Sequence, residues 1–312
     1  MLIFHDWRDL PEAARCATVA LGNFDGVHRG HAAVIAAARA ARPDAKLAVL
    51  TFEPHPREVF RPDDPPFRLT LAAERADALA ALGVDILYEL PFTPEFSLTS
   101  AEGFVADVLA AGIGARHLTA GRDFAFGHRK GGGAGFLADR AAALGIGITL
   151  IPPVKDAEGP LSSSRIRRAL AEGYPERAAE ELGRPWAIRG EVAHGDARGR
   201  TIGFPTANIA LGRHLEPARG VYAVTVRLAD GSVRGGAANL GRRPTVNAGT
   251  ESRLEVHLFD FDGDLYGAEL TVGLISYLRP EVKFPGLDAL RAQIAADAAE
   301  ARRLLAARGL GG

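Results

Sequence analysis

Thr18-Val19-Ala20-Leu21-Gly22-Asn23-Phe24-Asp25-Gly26-Val27-His28-Arg29-Gly30-His31 is the stretch on which the fold turns. Thr18 to Leu21 is a short apolar run of strand type and Ala32 to Ala41 an Ala-rich run of helix type, so the glycines fall at a strand-to-helix turn. Backbone N–H groups at a helix N-terminus can approach an anion. His28 and His31, three residues apart, share one face of the opening turn. Imidazoles placed there can donate hydrogen bonds to the oxygens of a phosphorus centre as charge develops on them, with no covalent nucleophile. For H-x-G-H alone, a histidine pair that merely caps the helix is the plainer alternative. The longer pattern G-x-F-D-G-x-H-x-G-H lowers the odds of a chance match.

Outward from this turn the same order repeats. Lys46 to Phe52 is followed by a helical Leu71 to Leu82, Val84 to Leu90 by Ala101 to Ala111, and His117 to Ala120 by Phe136 to Leu144, before a last run, Gly147 to Ile151. Alternation of this kind predicts a parallel sheet covered by helices, with ligands at the carboxyl ends of the strands. Thr99-Ser100-Ala101-Glu102 reads as a capping box, and Arg61 to Pro66 as a Pro/Asp loop. After Gly183-Arg184-Pro185 the rhythm becomes β-rich, in Val221 to Leu228, Ser232 to Asn239, Arg253 to Phe259 and Glu269 to Leu278. The expected fold class is therefore α/β. A Rossmann-like domain over 1–183 precedes an antiparallel β-barrel domain over 184–312, with an amphipathic C-terminal helix from Leu287 to Arg308.

A chain of 312 residues fits two domains, and a net charge of −1 argues against capture of nucleic acid by the whole surface. Cys16 is the single cysteine, so no internal disulfide forms, and no Cys/His cluster has zinc spacing. Met1 to Leu10 carries Asp6, Arg8 and Asp9, unlike an export signal, and no apolar run reaches membrane-spanning length. A reducing cytoplasm without membrane or nucleic-acid partners is the expectation, with homo-oligomerisation left open.

Other segments carry chemistry. Thr51-Phe52-Glu53-Pro54-His55-Pro56 follows the second strand, and Gly121-Arg122-Asp123-Phe124-Ala125-Phe126-Gly127 follows the fourth, ahead of Gly131 to Gly133. Phe52, Phe124 and Phe126 could stack on a flat aromatic ligand, although each taken singly is as readily a core residue. Ser162-Ser163-Ser164-Arg165-Ile166-Arg167 opens a helix with cations where the macrodipole disfavours them. A polyphosphate explains that pair better than helix stability does, the ordinary alternative being a solvated surface pair, and Arg165 could grip departing phosphates bidentately. In the second half, Gly195, Gly199 and Gly203 permit a phosphate-hugging loop ahead of Pro205. Thr206 and Asn208 offer neutral oxygens to one side, of a kind that suits magnesium, and a Gly-rich hairpin is the simpler reading. Glu255 alternates with Leu254, Val256 and Leu258 on a strand whose other face also carries His257 and Phe259.

Taken together and in this order, G-x-F-D-G-x-H-x-G-H, T-F-E-P-H-P, G-R-D-F-x-F-G, S-S-S-R-I-R, G-x-x-x-G-x-x-x-G-F-P-T-A-N, N-L-G-R-R-P-T, L-E-V-H-L-F and L-R-P-E-V-K-F resemble the bacterial bifunctional riboflavin kinase/FMN adenylyltransferase (FAD synthetase) family from about Leu21 to Arg302. The resemblance implies that the N-terminal domain transfers AMP from ATP to FMN, giving FAD and pyrophosphate, and that the C-terminal barrel phosphorylates riboflavin to FMN with a second ATP and Mg2+. It implies ATP contacts from Gly22, Phe24, Asp25, Gly26, His28, His31, Ser163, Ser164 and Arg165, with His28, His31 and Arg165 serving catalysis. Phe52, Asp123, Phe124 and Phe126 would meet the flavin. In the kinase half it implies ATP contacts from Gly195, Gly199, Gly203, Thr206 and Asn208, the last pair also holding the metal. Glu255 would be the general base, with Arg279 and Glu281 at the flavin. Ser164 stands where the family usually has threonine, which keeps the hydroxyl. The rivals are a half that has lost activity, a flavin-binding regulatory or storage protein, and an aminoacyl-tRNA synthetase, the last opposed by the near-neutral charge.

Overall fold

The computed structural model describes residues 1–193, 204–244 and 250–310. The chain divides into two compact units, Met1–Pro65 with Thr70–Ser162, and Pro66–Leu69 with Ser163–Gly312.

In the first unit the elements run β1 (Leu2–Phe4), β2 (Thr18–Leu21), α1 (Arg29–Ala41), β3 (Leu47–Glu53), α2 (Pro56–Phe60), α3 (Ala72–Ala81), β4 (Ile86–Pro91) and α4 (Ala101–Gly103), which continues as a π-helix over Phe104–Gly112. Then come β5 (His117–Gly121), the hairpin of β6 (Ala125–Phe126) and β7 (Gly132–Gly133), α5 (Ala134–Ala143), β8 (Gly147–Ile151), and a second hairpin of β9 (Lys155–Asp156) and β10 (Gly159–Pro160). The six-stranded sheet is parallel throughout, in the order β1-β4-β3-β2-β5-β8. From β2 the chain moves outward through β3 and β4, then returns to place β5 on the other side of β2. The crevice of such a sheet lies where the order reverses, between β2 and β5.

Alternation along the strands builds two cores. Val19, Leu21, Ala48 and Leu50 face Phe104, Val105, Leu109 and Leu137, while Ala20, Leu47 and Val49 face Val34, Ile35, Ala38 and Leu79 of α1 and α3. The parallel α/β class is as expected, with local differences. Helix α1 begins at Arg29, because His28 caps it. The cap of α4 is Ser100, whose hydroxyl accepts from Gly103 N–H at 2.9 Å; Thr99 does not cap, and Glu102 pairs with Arg140. Strand β1 was not foreseen. It is three residues long at the sheet edge, with Leu2 and Ile3 exposed, so it carries no buried-strand pattern.

In the second unit α6 (Ser163–Ala171) and α7 (Pro175–Leu182) precede β11 (Trp186–Ala193), β12 (Ala207–Ala210), β13 (Gly220–Arg227), β14 (Val233–Pro244), β15 (Thr250–Leu258) and β16 (Glu269–Arg279). These strands close an antiparallel barrel in the order β11-β12-β15-β14-β13-β16. Ile188, Ile209, Val224, Leu254, Val256 and Leu274 fill its core with Ile166, Leu170, Ala178 and Leu182. The C-terminal helix Leu287–Ala307 lays Ala301 and Leu305 over Ala223, Phe259 and Ile275. The break in packing precedes residue 163, earlier than the 183/184 boundary read from the sequence, because α6 and α7 bury their apolar residues with the barrel.

Candidate active sites

At the carboxyl end of β2 the loop is wound tightly. Phe24, Gly26 and Val27 have φ of 51°, 86° and 43°. For a β-branched residue such as Val27 this conformation costs on the order of 1–3 kcal/mol and persists only where the surroundings enforce it. They do so here. Gly26 N–H donates to Thr70 Oγ1 at 3.0 Å, Thr70 N–H to Asp25 Oδ1 at 3.1 Å, and Thr51 Oγ1 to Asn23 O at 3.0 Å. Asp25 is thereby only 2% exposed, and its expected ATP contact meets a carboxylate already engaged with Thr70.

The histidines cap α1, the plainer of the two sequence readings. His28 is the N-cap of α1, its Nδ1 accepting from Gly30 N–H at 3.1 Å and His31 N–H at 3.3 Å, while His31 Nδ1 accepts from His28 N–H at 3.4 Å. An imidazole whose Nδ1 accepts a backbone N–H carries its neutral-state proton on Nε2, so the caps fix the tautomer of each ring as an Nε2–H donor. The rings stack with centroids 3.7 Å apart, and Phe24 lies 5.0 Å from His31. Burial, then the neighbouring His28, hold the His31 imidazole well below the usual histidine range, so the ring is neutral near pH 7. Gly30 makes this possible, since a Cβ there would stand 2.9 Å from His28 Cε1.

The aromatic segments meet around Phe104. Phe52 is half-buried against Phe92, Phe96 and Phe104, at 5.3, 5.4 and 6.3 Å. Phe124 stacks on Phe126 at 5.4 Å, and Phe126 is buried against Phe104 and Phe136, a wall residue more than an open platform. Asp123 is exposed. Phe92 and Phe96, from the loop after β4, escaped the sequence reading because nothing in their spacing separates them from core. Also unforeseen is Arg75, fully buried on α3, whose Nη2 donates to Glu53 at 2.8 Å and Glu89 at 2.6 Å, tying together the ends of β3 and β4.

Ser163, Ser164 and Arg165 open α6 and belong by packing to the second unit. Arg165 Nε donates to Glu181 Oε1 at 2.6 Å, both side chains largely buried at 15% and 5% exposure. Arg165 thus has a carboxylate partner within its own unit.

On the barrel, Asn208 pairs with Glu255 across the ladder and Glu255 with Asn239. Leu254, Val256 and Leu258 are buried, and Glu255 is half-buried on the outer side. Asn208 is 5% exposed, and its Oδ1 is buried with no hydrogen-bond partner among the described residues. Thr206 lines a pocket of about 290 Å³ with Val192, Leu258, Phe261, Leu265 and Tyr266, rimmed by Asp262 and Asp264. The sequence reading missed the Phe261–Tyr266 turn, which has no motif of its own. Gly195, Gly199 and Gly203 lie outside the described residues. Arg279, expected at the flavin, is engaged by Asp297 of the C-terminal helix at 2.9, 3.1 and 2.6 Å, so the structure gives it an anchoring contact. Glu281 Oε1 accepts from Asn239 Nδ2 at 3.4 Å.

A doubly wound sheet with paired imidazoles at its switch point, followed by a closed barrel that sets a carboxylate opposite a buried amide, has the character of an enzyme handling phosphate esters twice. Family models match in that order, FAD synthetase over residues 10–165 and riboflavin kinase over residues 182–305. The bifunctional riboflavin kinase/FMN adenylyltransferase of Escherichia coli K12 is 40% identical over 96% of this chain and 95% of its own, and that of Pseudomonas fluorescens 42% over 95% of each. A crystal structure described as a macrolide-efflux protein from Streptococcus pneumoniae superposes with a TM-score of 0.85 at 36% identity, over 95% of this chain and 96% of that one. The efflux description is that protein's own; among the described residues no helix is long and apolar enough to cross a membrane. The chain belongs to the bifunctional riboflavin kinase/FMN adenylyltransferase family, a two-activity enzyme of FAD biosynthesis with the FAD synthetase domain N-terminal and the riboflavin kinase domain C-terminal.

Proposed function

We propose that the two reactions use separate groups, one set centred on the His28–His31 loop and the other on the barrel. In adenylyl transfer an oxygen of the FMN phosphate attacks the α-phosphorus of ATP, the bond to pyrophosphate breaks, and the Nε2–H groups of His28 and His31 donate to the oxygens on which charge builds. The observation that carries this reading is the reciprocal capping that fixes both donors. Gly22, Phe24 and Gly26 shape the loop, and Phe52 and Phe124 offer ring contacts to the flavin, with Asp123 exposed beside them. The triphosphate role for Ser163, Ser164 and Arg165 rests on the resemblance, and Arg165 would have to leave Glu181 to serve it.

In the kinase half the 5′-hydroxyl oxygen of riboflavin attacks the γ-phosphorus of ATP, its proton passes to the Glu255 carboxylate, and ADP leaves. The buried Asn208 Oδ1 beside Glu255, without a partner among the described residues, fits a cation ligand. Asn208 and Thr206 would hold Mg2+, which when bound neutralises charge on the nucleotide phosphates. The pocket beside Thr206 has the apolar walls and size to seat the ATP base. The functional division at 183/184 is one of activity, consistent with a riboflavin kinase match that begins at 182, and the site of action is the cytoplasm.

Product chromatography on riboflavin plus ATP tests the assignment. Glu255→Gln should abolish FMN formation yet still convert supplied FMN to FAD, and His28→Ala should do the reverse. A single substitution that stops both would count against separate sites.

A further inference from the structure

One transverse row crosses the outer face of the barrel. Asn208 stands opposite Glu255, Glu255 opposite Asn239, Asn239 opposite Val221, and Val221 opposite Arg279. Ala207, Ile209, Leu254, Val256, Ala238 and Leu240 point into the core at alternate positions, so Asn208, Glu255 and Asn239 share the outer side. Directly opposed residues bring their Cβ atoms to about 4.5–5.5 Å. Asn239 is thus an immediate neighbour of the base on the side away from Asn208.

Its amide has a second attachment. Nδ2 donates to Glu281 Oε1 at 3.4 Å, and a Cβ on Gly241, two residues along the same strand, would stand 2.6 Å from that oxygen, so the strand is left bare where the carboxylate lies. Arg279, held by Asp297 and with its Nη1 donating to Pro280 O at 3.0 Å, fixes the start of the Arg279–Glu281 turn. Asn239 fixes its end.

We propose that Asn239 is a positioning residue of the riboflavin kinase. It acts through Glu281, setting that carboxylate as a hydrogen-bond acceptor for the hydroxyl-bearing chain of riboflavin while a neutral amide separates it from Glu255. This rests on the reading above in which Glu255 is the base and Glu281 meets the flavin. Loss of one hydrogen bond to a charged acceptor predicts a loss of about tenfold in riboflavin binding with the chemical step intact.

A double-mutant cycle on the full chain tests it, with riboflavin KM and kcat measured at saturating ATP and conversion of supplied FMN to FAD as the control for folding. Asn239→Ala and Glu281→Ala should each raise riboflavin KM about tenfold, with kcat and the KM for ATP within about twofold. The double variant should be no worse than Glu281→Ala alone. Asn239→Asp, which keeps the shape but turns a carboxylate toward Glu281 in place of the donor, should raise riboflavin KM at least as far as Asn239→Ala. Effects that multiply in the double variant, a fall in kcat at unchanged KM, or normal kinetics in Asn239→Ala and Asn239→Asp would each overturn the proposal. Normal riboflavin KM in Glu281→Ala would instead remove the flavin role of Glu281 on which it stands.

Discussion

His28 and His31 cap each other's backbone: His31 N–H donates to His28 Nδ1 at 3.3 Å, and His28 N–H to His31 Nδ1 at 3.4 Å. Protonating either Nδ1 would turn an acceptor into a donor facing another donor. The arrangement therefore needs neutral rings, in keeping with the lowered pKa of His31.

A pH dependence follows with a definite sign. An unfolded histidine titrates near 6.5, and the folded His31 well below it, so between those values the unfolded chain binds more protons and stability falls as pH falls. Above about pH 6.5 this group contributes no slope. Thermal unfolding between about pH 5 and 8 should show a midpoint that drops on the acid side, and less steeply in His31→Gln. Equal acid-side slopes in the two proteins would refute the assignment.

Thr70→Val keeps the shape at the β2 loop but removes the acceptor for Gly26 N–H. With Thr70 buried, the loss should be about 1–2 kcal/mol in denaturant unfolding of the first unit. The KM for ATP in FAD formation should rise with it, because the strained backbone at Phe24 and Val27 loses a restraint. An unchanged KM would separate the loop's winding from nucleotide binding.

Asn208→Ala should raise the Mg2+ concentration for half-maximal FMN formation about tenfold and leave the Mg2+ dependence of FAD formation alone. The orphaned Oδ1 motivates this, and a titration with no shift in the kinase reaction would mean that the oxygen serves something else.

Arg165→Ala removes one partner of a largely buried pair with Glu181. Breaking such a pair costs about 3 kcal/mol, more than any exposed ion pair contributes. Guanidinium-chloride unfolding read in the barrel unit should register it. Should stability be unchanged while the KM for ATP rises, Arg165 would be a phosphate ligand and not a structural cation.

The sheet, the barrel and the C-terminal helix were legible because their apolar periods are long and regular, as in Leu254, Val256 and Leu258. The turn at Gly22 to His31 was legible because a buried strand, clustered glycines and two histidines coincide within one short stretch. What stayed hidden depends on contacts distant in sequence. Thr70 holds the loop at Asp25 and Gly26 from 45 and 44 positions away, and no local pattern distinguishes it from an ordinary threonine. Arg75 looks like one more surface helix cation until Glu53 and Glu89 close on it. For Arg165 the helix start suggested ligand chemistry and for Arg279 the family resemblance implied it, while the carboxylates that engage them, Glu181 and Asp297, lie 16 and 18 positions away and left no local signal.

The segment Pro66–Leu69 bears on how this protein can be dissected. Trp186, the first residue of the barrel, gives its indole N–H to Leu69 O at 2.8 Å; Leu215 N–H reaches Arg68 O, also at 2.8 Å; and Arg167 stacks on Phe67 while donating to its carbonyl. A truncation beginning at 184 would discard this tetrapeptide together with α6 and α7, leaving the indole without its acceptor and the apolar residues beneath stripped of cover. The kinase barrel is thus completed by a stretch of chain translated more than a hundred residues before it, and a freestanding kinase would have to be engineered with that piece grafted back.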